Sequence, residues 1–420
     1  MLQHCLPENI RSALSELPAS LDETFERILS EIRTTNLVAA YRLLQCLCVA
    51  ARPLRLELAE IIVLDFDRTE GATPKLKEYW RWHDPEQAVL SSCSSLITLV
   101  DNGHSRVVQF SHFSVKQFLT SDRLASSQAD ISWFHISLED AHTTLTLACL
   151  ATLLRLDSSS SNDQVERNFP LAGYASQHWV DHAQFEMALL QAEDGIQRLF
   201  DPTKPYFSTW LRLYNIDDHW NRFKNSWVAR GSPLYYASLC GFRNLAAHII
   251  VVHPEQINAT GGRRHSPLAA ALHKGHFHVA ELLHQHGASV NVIDYNNQTL
   301  LQAASVDGRS DVSRWLLNHG ADIRRDDHAA PIHLATLNGR LEVIRTLLEH
   351  NAAYVHSADK SGRTPLHIAS SSGKDEIVSL LLEHGADPNA VDKDGWTPLS
   401  LTWTTEVEHL LLEYGACPGD

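Results

Sequence analysis

The sequence predicts a mainly α-helical chain: an N-terminal winged-helix-like helical domain with one β-hairpin, followed by a solenoid of repeated helical hairpins. Three observations predict it. A short motif of Ser or Thr, then Pro, then Leu recurs through the C-terminal half with a period near 33 residues. Residues 95–112 read as two β-rich runs around a Gly turn (SLITLV, DNGHS, RVVQFSH). The other apolar stretches of the first half open on helix-capping residues.

In chain order, Ser20 to Glu23 form a capping box that opens a helix to about Ile32. Asn36 caps the next, through Tyr41 and Leu44 to Ala50. Residues 52–64 read as a short extended entry and a third helix. Asp84 as cap with Pro85 at the first helical position starts another. The hairpin follows, then a helix from about Phe113 to Thr120. Helices packed on one hairpin suggest a winged helix over residues 1–125. Residues 126–228 form a helical linker or capping domain, and 229–420 the repeats.

The repeats start SPLYYA, SPLAAA, TLLQAA, APIHLA, TPLHIA and TPLSLT. Their second residues, Pro233, Pro267, Leu300, Pro331, Pro365 and Pro398, are spaced by 34, 33, 31, 34 and 33. Ser or Thr before Pro supplies an N-cap oxygen, and Pro at the first helical position loses no needed hydrogen bond. Eight residues on stand Gly241, Gly275, Gly308, Gly339 and Gly373, each able to end a helix with positive φ. Apolar residues at +12 and +16, such as Val279 with Leu283, give a second helix one buried face. Position +20 holds Gly287, Gly320, Asn351 and Gly385, the residue types that best tolerate a left-handed helix end; His253 is the exception. The period and the T-P-L-H-x-A start resemble ankyrin repeats, about six of them. The segment Asp327–Pro331 is two residues shorter than Asp294–Leu300, so that finger should be stunted. The final repeat loses three residues near Trp403–Glu406 and reads as a degenerate cap.

A second resemblance covers residues 6–230. LPASLDETFERIL (17–29), LLQCLCVAARPLRLELAE (43–60), SSLITLV (94–100), FSHFSVKQFLTSDR (110–123), ISLEDAHTTLTLACLATLL (136–154) and YASQHWVDHA (174–183) together resemble fungal NACHT–ankyrin proteins, signalling NTPases of the STAND type. The matching part is the winged-helix and helical region, also named after glycosylphosphatidylinositol inositol deacylases. The resemblance implies a nucleotide-binding domain ahead of Leu6, yet the chain holds no GxxxxGK[ST]. NTP hydrolysis is therefore not expected of these residues. What they resemble is the sensor and coupling end of such a receptor.

Composition excludes several functions. Lys and Arg total 35 against 50 Asp and Glu, a net charge of −15, divided as −9 over residues 1–228 and −6 over 229–420. Capture of nucleic acid or an anionic membrane needs a basic surface instead. The expected recognition helix, Glu86–Ser94, contains no Lys or Arg. The basic aromatic segment KLKEYWRWH (75–83) is the best counter-argument, and a nucleic-acid-binding or transcriptional regulator is the alternative reading. Seven scattered cysteines with no CxxC indicate neither a disulfide framework nor a zinc site. No apolar run is long enough to span a bilayer, and the N-terminus lacks a signal peptide, so a cytoplasmic or nuclear protein is expected. GxSxG and HExxH are both missing, so no catalytic residue is assigned and no enzyme is expected. The 25 histidines invite a metal hypothesis, with His273, His276, His278, His284 and His286 as the densest cluster. In the repeat frame they fall on different helix faces: His286, His319, His350 and His384 share +19, the last turn of the outer helix. No metal or cofactor is expected.

The resemblance to ankyrin repeats implies binding of protein. Ankyrin repeats bind through fingertips and inner helices that line a concave surface. In that family the positions free of core duty are those just after the finger aspartate and +6 and +7 of the inner helix, which the resemblance places here at His273, Lys274, Tyr295, Asn296, Gln298, Val306, Asp307, His328, Leu337, Asn338, Lys360, Arg363, Ser371, Lys393 and Trp396. Tyr295, Arg363 and Trp396 are the expected anchors, because aromatic and Arg side chains carry most binding energy at protein interfaces. The partner is a protein on that surface, and a separately encoded nucleotidase domain is a further candidate for the first half.

Overall fold

A computed structural model of the protein describes residues 21–32, 37–55, 61, 64–65, 75–76, 85–101, 106–127, 130–156, 161–217, 231–323 and 330–418. The chain divides into two compact units, Met1–Arg222 and Phe223–Asp420.

The first unit is built around the helix Leu138–Leu153, opened by Ser137, whose side chain accepts from the Asp140 N–H. Its run LTLACLATLL is apolar on every side, so it must be surrounded. Helices Leu37–Val49, Ala172–His182, Glu186–Gln191 and Glu193–Phe200 pack on it. Its buried threonines turn their hydroxyls back onto the helix: Thr146 Oγ1 donates to His142 O at 2.8 Å and Thr152 Oγ1 to Ala148 O at 3.0 Å. Beside it, Trp179 and Trp210 meet edge to face at 5.4 Å, and Trp210 Nε1 donates to Ser176 O at 2.9 Å.

One buried polar chain links these helices. The Ala51 N–H donates to Tyr174 Oη at 3.0 Å, and the same hydroxyl hydrogen-bonds His182 Nε2 at 2.7 Å. His182 Nδ1 and His142 Nδ1 share a hydrogen bond at 2.8 Å. The short Nδ1–Nδ1 contact requires one of the two rings to accept, so both cannot be charged at once. Burial, and then the neighbouring His142, hold the His182 pKa down at about 4.

The winged part comprises helices Leu21–Ser30, Leu37–Val49 and Pro85–Cys93, then the antiparallel strands Ile97–Asp101 and Arg106–Phe110. Ile97 faces Phe110 and Asp101 faces Arg106, and Leu54 bridges to Val108 beside them. Helix Phe113–Leu119 follows, capped by His112. These agree with the sequence reading. A second antiparallel pair, Leu64–Asp65 with Lys75–Leu76, was not expected. Ser20, Asn36, Asp84 and most of the segment 75–83 lie outside the described residues.

Among its described residues the second unit contains six helix pairs, from Pro233–Cys240 with Arg243–Val252 to Pro398–Leu401 with Thr405–Glu413. The side chains of Ser232, Ser266, Thr299 and Thr397 cap the inner helices by accepting from the third residue's N–H. All five +8 glycines have positive φ, from 61° to 81°. At Gly241 a side chain would also collide with the next repeat, since a Cβ would come within 2.7 Å of the His276 ring. The last inner helix has only 4 residues, in keeping with a degenerate cap. Asn351 departs from expectation: its φ is −155°, whereas Gly287, Gly320 and Gly385 are left-handed. The Asn351 side chain accepts from the Ala353 N–H and caps a 3-10 turn, Ala352–His356, and that bond favours the extended backbone. His253, also without glycine, leads into a similar turn at Pro254–Gln256. The stunted finger at Asp327–Pro331 lies mostly outside the described residues.

Candidate protein-binding surface

The inner helices are held to one another by a bond that repeats along the array. From the second repeat to the fifth, the residue after the +8 glycine caps the inner helix of the preceding repeat at the carbonyl of its position +6. The His276 ring bonds the Leu239 carbonyl. Arg309 Nη1 donates to His273 O at 2.8 Å, and Arg340 Nε to Val306 O at 2.9 Å. Lys374 Nζ donates to Leu337 O at 2.6 Å and to Thr336 O at 3.0 Å. In the shortened last repeat the Trp403 indole N–H takes this place, donating to Ser371 O at 3.0 Å. Four of these five donors carry or can carry positive charge at the negative end of a helix. The ladder fixes the spacing of the exposed side chains beside it.

The finger turns use the same economy. Asp294 Oδ1 accepts from the N–H groups of Asn296 and Gln298, both at 2.8 Å. Asp359 does so for Ser361 and Arg363, and Asp392 for Asp394 and Trp396. Buried histidines then lock finger to inner helix: His367 Nε2 donates to Trp396 O at 3.1 Å, and His333 Nε2 lies 3.0 Å from Ser357 O and 3.1 Å from Arg363 O.

On this frame Tyr295, Leu337 and Trp396 stand 52%, 60% and 51% exposed, large apolar groups that the core does not use. Lys274, Asn296, Asp307, Asn338, Lys360, Ser371 and Lys393 are exposed with them, and Gln298 and Val306 are half-buried. Arg363 is exposed but occupied, its Nε and Nη2 both 3.1 Å from Asp359 Oδ2. His273 is half-buried and accepts from Arg264 Nη2 at 2.9 Å. Burial, followed by Arg264, Lys274, Arg309 and Arg263, holds its pKa at about 4. His328 lies outside the described residues.

The other histidines are engaged separately. His286, His319 and His384 each place Nδ1 2.7–2.8 Å from the carbonyl four residues back, while His350 is exposed at its helix end. His284 packs edge-on against Trp315 and His319, and His319 Nε2 reaches Glu281 at 3.0 Å. Among the described residues no group of three or more His, Cys, Asp and Glu is arranged to hold a metal ion. None of the described helices is long and apolar enough to cross a membrane.

Sequence reasoning missed Arg263, Arg264 and Trp403. The first finger carries no Asp to mark it, although counting back from Ser266 places Arg263 and Arg264 level with Asn296 and Asn297. Trp403, 75% exposed, sits where the repeat pattern breaks.

Comparisons with known proteins divide the chain in the same way. Residues 234–327 and 324–392 match the ankyrin repeat model, and residues 25–131 match the model described as GPI inositol-deacylase, winged helix domain. The azaphilone pigments biosynthesis cluster protein L of Monascus ruber is 33% identical over 296 residues, covering 66% of this chain and 61% of that protein. Ankyrin repeat protein nuc-2 of Neurospora crassa is 31% identical over 183 residues, 43% of this chain and 17% of that one. The E3 ubiquitin-protein ligase XBAT32 of Arabidopsis thaliana is 32% identical over 124 residues, 29% of this chain and 24% of the relative. The chain thus spans under two thirds of the length of these relatives. A crystal structure of an ankyrin repeat domain from Acinetobacter baumannii AYE covers 44% of this chain and 98% of its own at 32% identity, with a TM-score of 0.39. The protein therefore carries ankyrin repeats behind a winged helix domain of the GPI inositol-deacylase type, and its relatives include fungal proteins.

Proposed function

We propose that the protein is a non-enzymatic binding module whose inner-helix and finger surface docks a segment of another protein. The observation that carries this reading is the set of exposed apolar groups, Tyr295, Leu337, Trp396 and Trp403, on fingers and inner helices. Each stands next to backbone fixed by an Asp turn or a carbonyl cap, so little order need be gained on binding. Tyr295 and Trp396 remain the proposed anchors. Arg363 is a weaker one, since a partner carboxylate must compete with Asp359.

The finer reading, in which this is the sensor and coupling region of a fungal STAND protein, rests on the winged-helix match beside the repeats. In that reading the first unit has two roles: capping the first repeat over Leu245 and Ile249, and docking a separately encoded nucleotidase domain. Nucleic-acid binding is the weaker alternative, because helix Pro85–Cys93 carries no basic residue.

Selection of binders from a displayed peptide library on the full chain tests the proposal. Binders are expected to lose at least tenfold in affinity for the double variant Tyr295→Ala with Trp396→Ala, since two such anchors together carry roughly 2 kcal/mol or more. Binders indifferent to both changes would remove the surface from consideration.

A further inference from the structure

We propose that the cavity at the base of the first two fingers receives Asp or Glu side chains of an acidic segment in a partner protein, with Arg264 as the anchoring group. This rests on the binding-surface reading above and adds the partner's chemistry. The cavity measures about 280 Å³, and Arg263, Arg264, His273, Asp294, Asp307 and Arg309 stand among its walls.

These charges differ in how far they are already satisfied. Arg309 is spent, paired with Asp311 at 2.9 Å and capping His273 O. Asp294 Oδ1 is spent on its own finger turn. Arg264 is different. Its guanidinium donates to the neutral His273 ring at 2.9 Å, and among the described residues no carboxylate pairs with it. Because His273 accepts at Nε2, its proton sits on Nδ1, a second donor beside the guanidinium. Four cations, Arg264, Lys274, Arg309 and Arg263, surround His273 within a chain of net charge −15.

The loop that presents Arg264 is fixed beforehand. Gly261 N–H donates to His265 O at 3.0 Å and His265 N–H to Gly262 O at 3.2 Å. The Arg264 N–H donates to the buried Tyr235 hydroxyl at 3.1 Å. Gly262 lies so close over that ring that a Cβ would sit 2.3 Å from it. His265, with φ 73°, is a non-glycine residue held in the left-handed region, its ring edge-on to Tyr295 at 4.6 Å. Strain of this kind persists where surrounding contacts over-determine the backbone. A guanidinium held in this way suits a carboxylate, which its planar fork can grip with two donors. The cavity's own Asp294 and Asp307 oppose a phosphate dianion more strongly than a single carboxylate. The exposed Tyr295, on the neighbouring finger, offers contact to the rest of a peptide chain.

Fluorescence anisotropy with the full chain tests this, using a labelled, N-acetylated, C-amidated glutamate-rich peptide and its glutamine counterpart. The glutamate peptide is expected to bind, and the glutamine peptide about tenfold more weakly or worse. Arg264→Glu and Arg264→Gln should each weaken glutamate binding by about tenfold, with unchanged melting. Arg345→Glu, on an outer helix, should leave it unchanged. Equal binding of the two peptides, or no effect of Arg264→Glu, overturns the proposal. So does a low-salt dimer that Arg264→Glu dissolves, which would assign the cavity to a second copy. If library binders require Tyr295 and Trp396 but the glutamate peptide does not bind, the acidic partner falls and the binding surface stands. If those binders ignore both residues, the surface reading itself has failed.

Discussion

His367 and His333 occupy the same position of successive repeats, yet only one is fully satisfied. His367 Nδ1 receives the Thr364 N–H at 3.1 Å and lies 2.8 Å from its hydroxyl. At the equivalent site Ala330 has no hydroxyl, and His333 Nδ1 is buried without a partner. Ala330 already has the extended backbone of a cap, φ −60° and ψ 152°. Ala330→Thr should therefore stabilise the protein by about 1 kcal/mol in urea denaturation, by capping the helix and meeting the ring. No gain would show that the orphan nitrogen costs nothing. The buried histidine chain of the first unit gives a pH effect. A folded pKa near 4 for His182, below the free value near 6.5, means the unfolded chain binds the extra proton between those values. Stability is then complete above about pH 6.5 and falls as pH drops toward 4, by at most about 3 kcal/mol from this group. His182→Gln should flatten that slope; an unchanged slope would place the titration elsewhere.

At the scale of the element, the carbonyl caps carry the spacing of the array. Lys374→Met keeps the aliphatic stem but removes both bonds to Thr336 and Leu337, and should cost about 1 kcal/mol. Arg345→Met, losing only an exposed i,i+3 pair, should change stability by less than about 0.5 kcal/mol. Equal losses would mean that the caps add nothing. This ladder was not legible in the sequence. Helix starts and stops were, because Ser, Thr, Pro and Gly act on their own backbone within a few residues. A donor that caps a carbonyl some 35 residues away leaves no such signature: His276, Arg309, Arg340, Lys374 and Trp403 fill one role with four residue types. Asn351 was misread for a related reason, since its side chain had a second use as a cap that competed with left-handed φ. Arg264 was missed because the first finger lacks the Asp that identifies the others.

For the whole molecule, the division into a winged-helix part and a repeat array was readable, since the second half repeats with a period near 33 while the first carries helix caps and a hairpin without a repeat. The use of the array was readable only as a class of interaction. Stacked repeats are stabilised by their neighbours, so an uncovered terminal repeat exposes apolar surface. If the first unit caps the array, residues 229–420 expressed alone should aggregate or melt well below the full chain in calorimetry. A stable monomer of that segment would end the capping proposal. The most direct measurement is hydrogen exchange on the full chain with and without a selected binder, read residue by residue. Protection is expected in the fingers around Tyr295, Arg363 and Trp396 and at the inner-helix ends near His273 and Leu337. Protection confined to the outer helices, or to residues of the first unit, would contradict it.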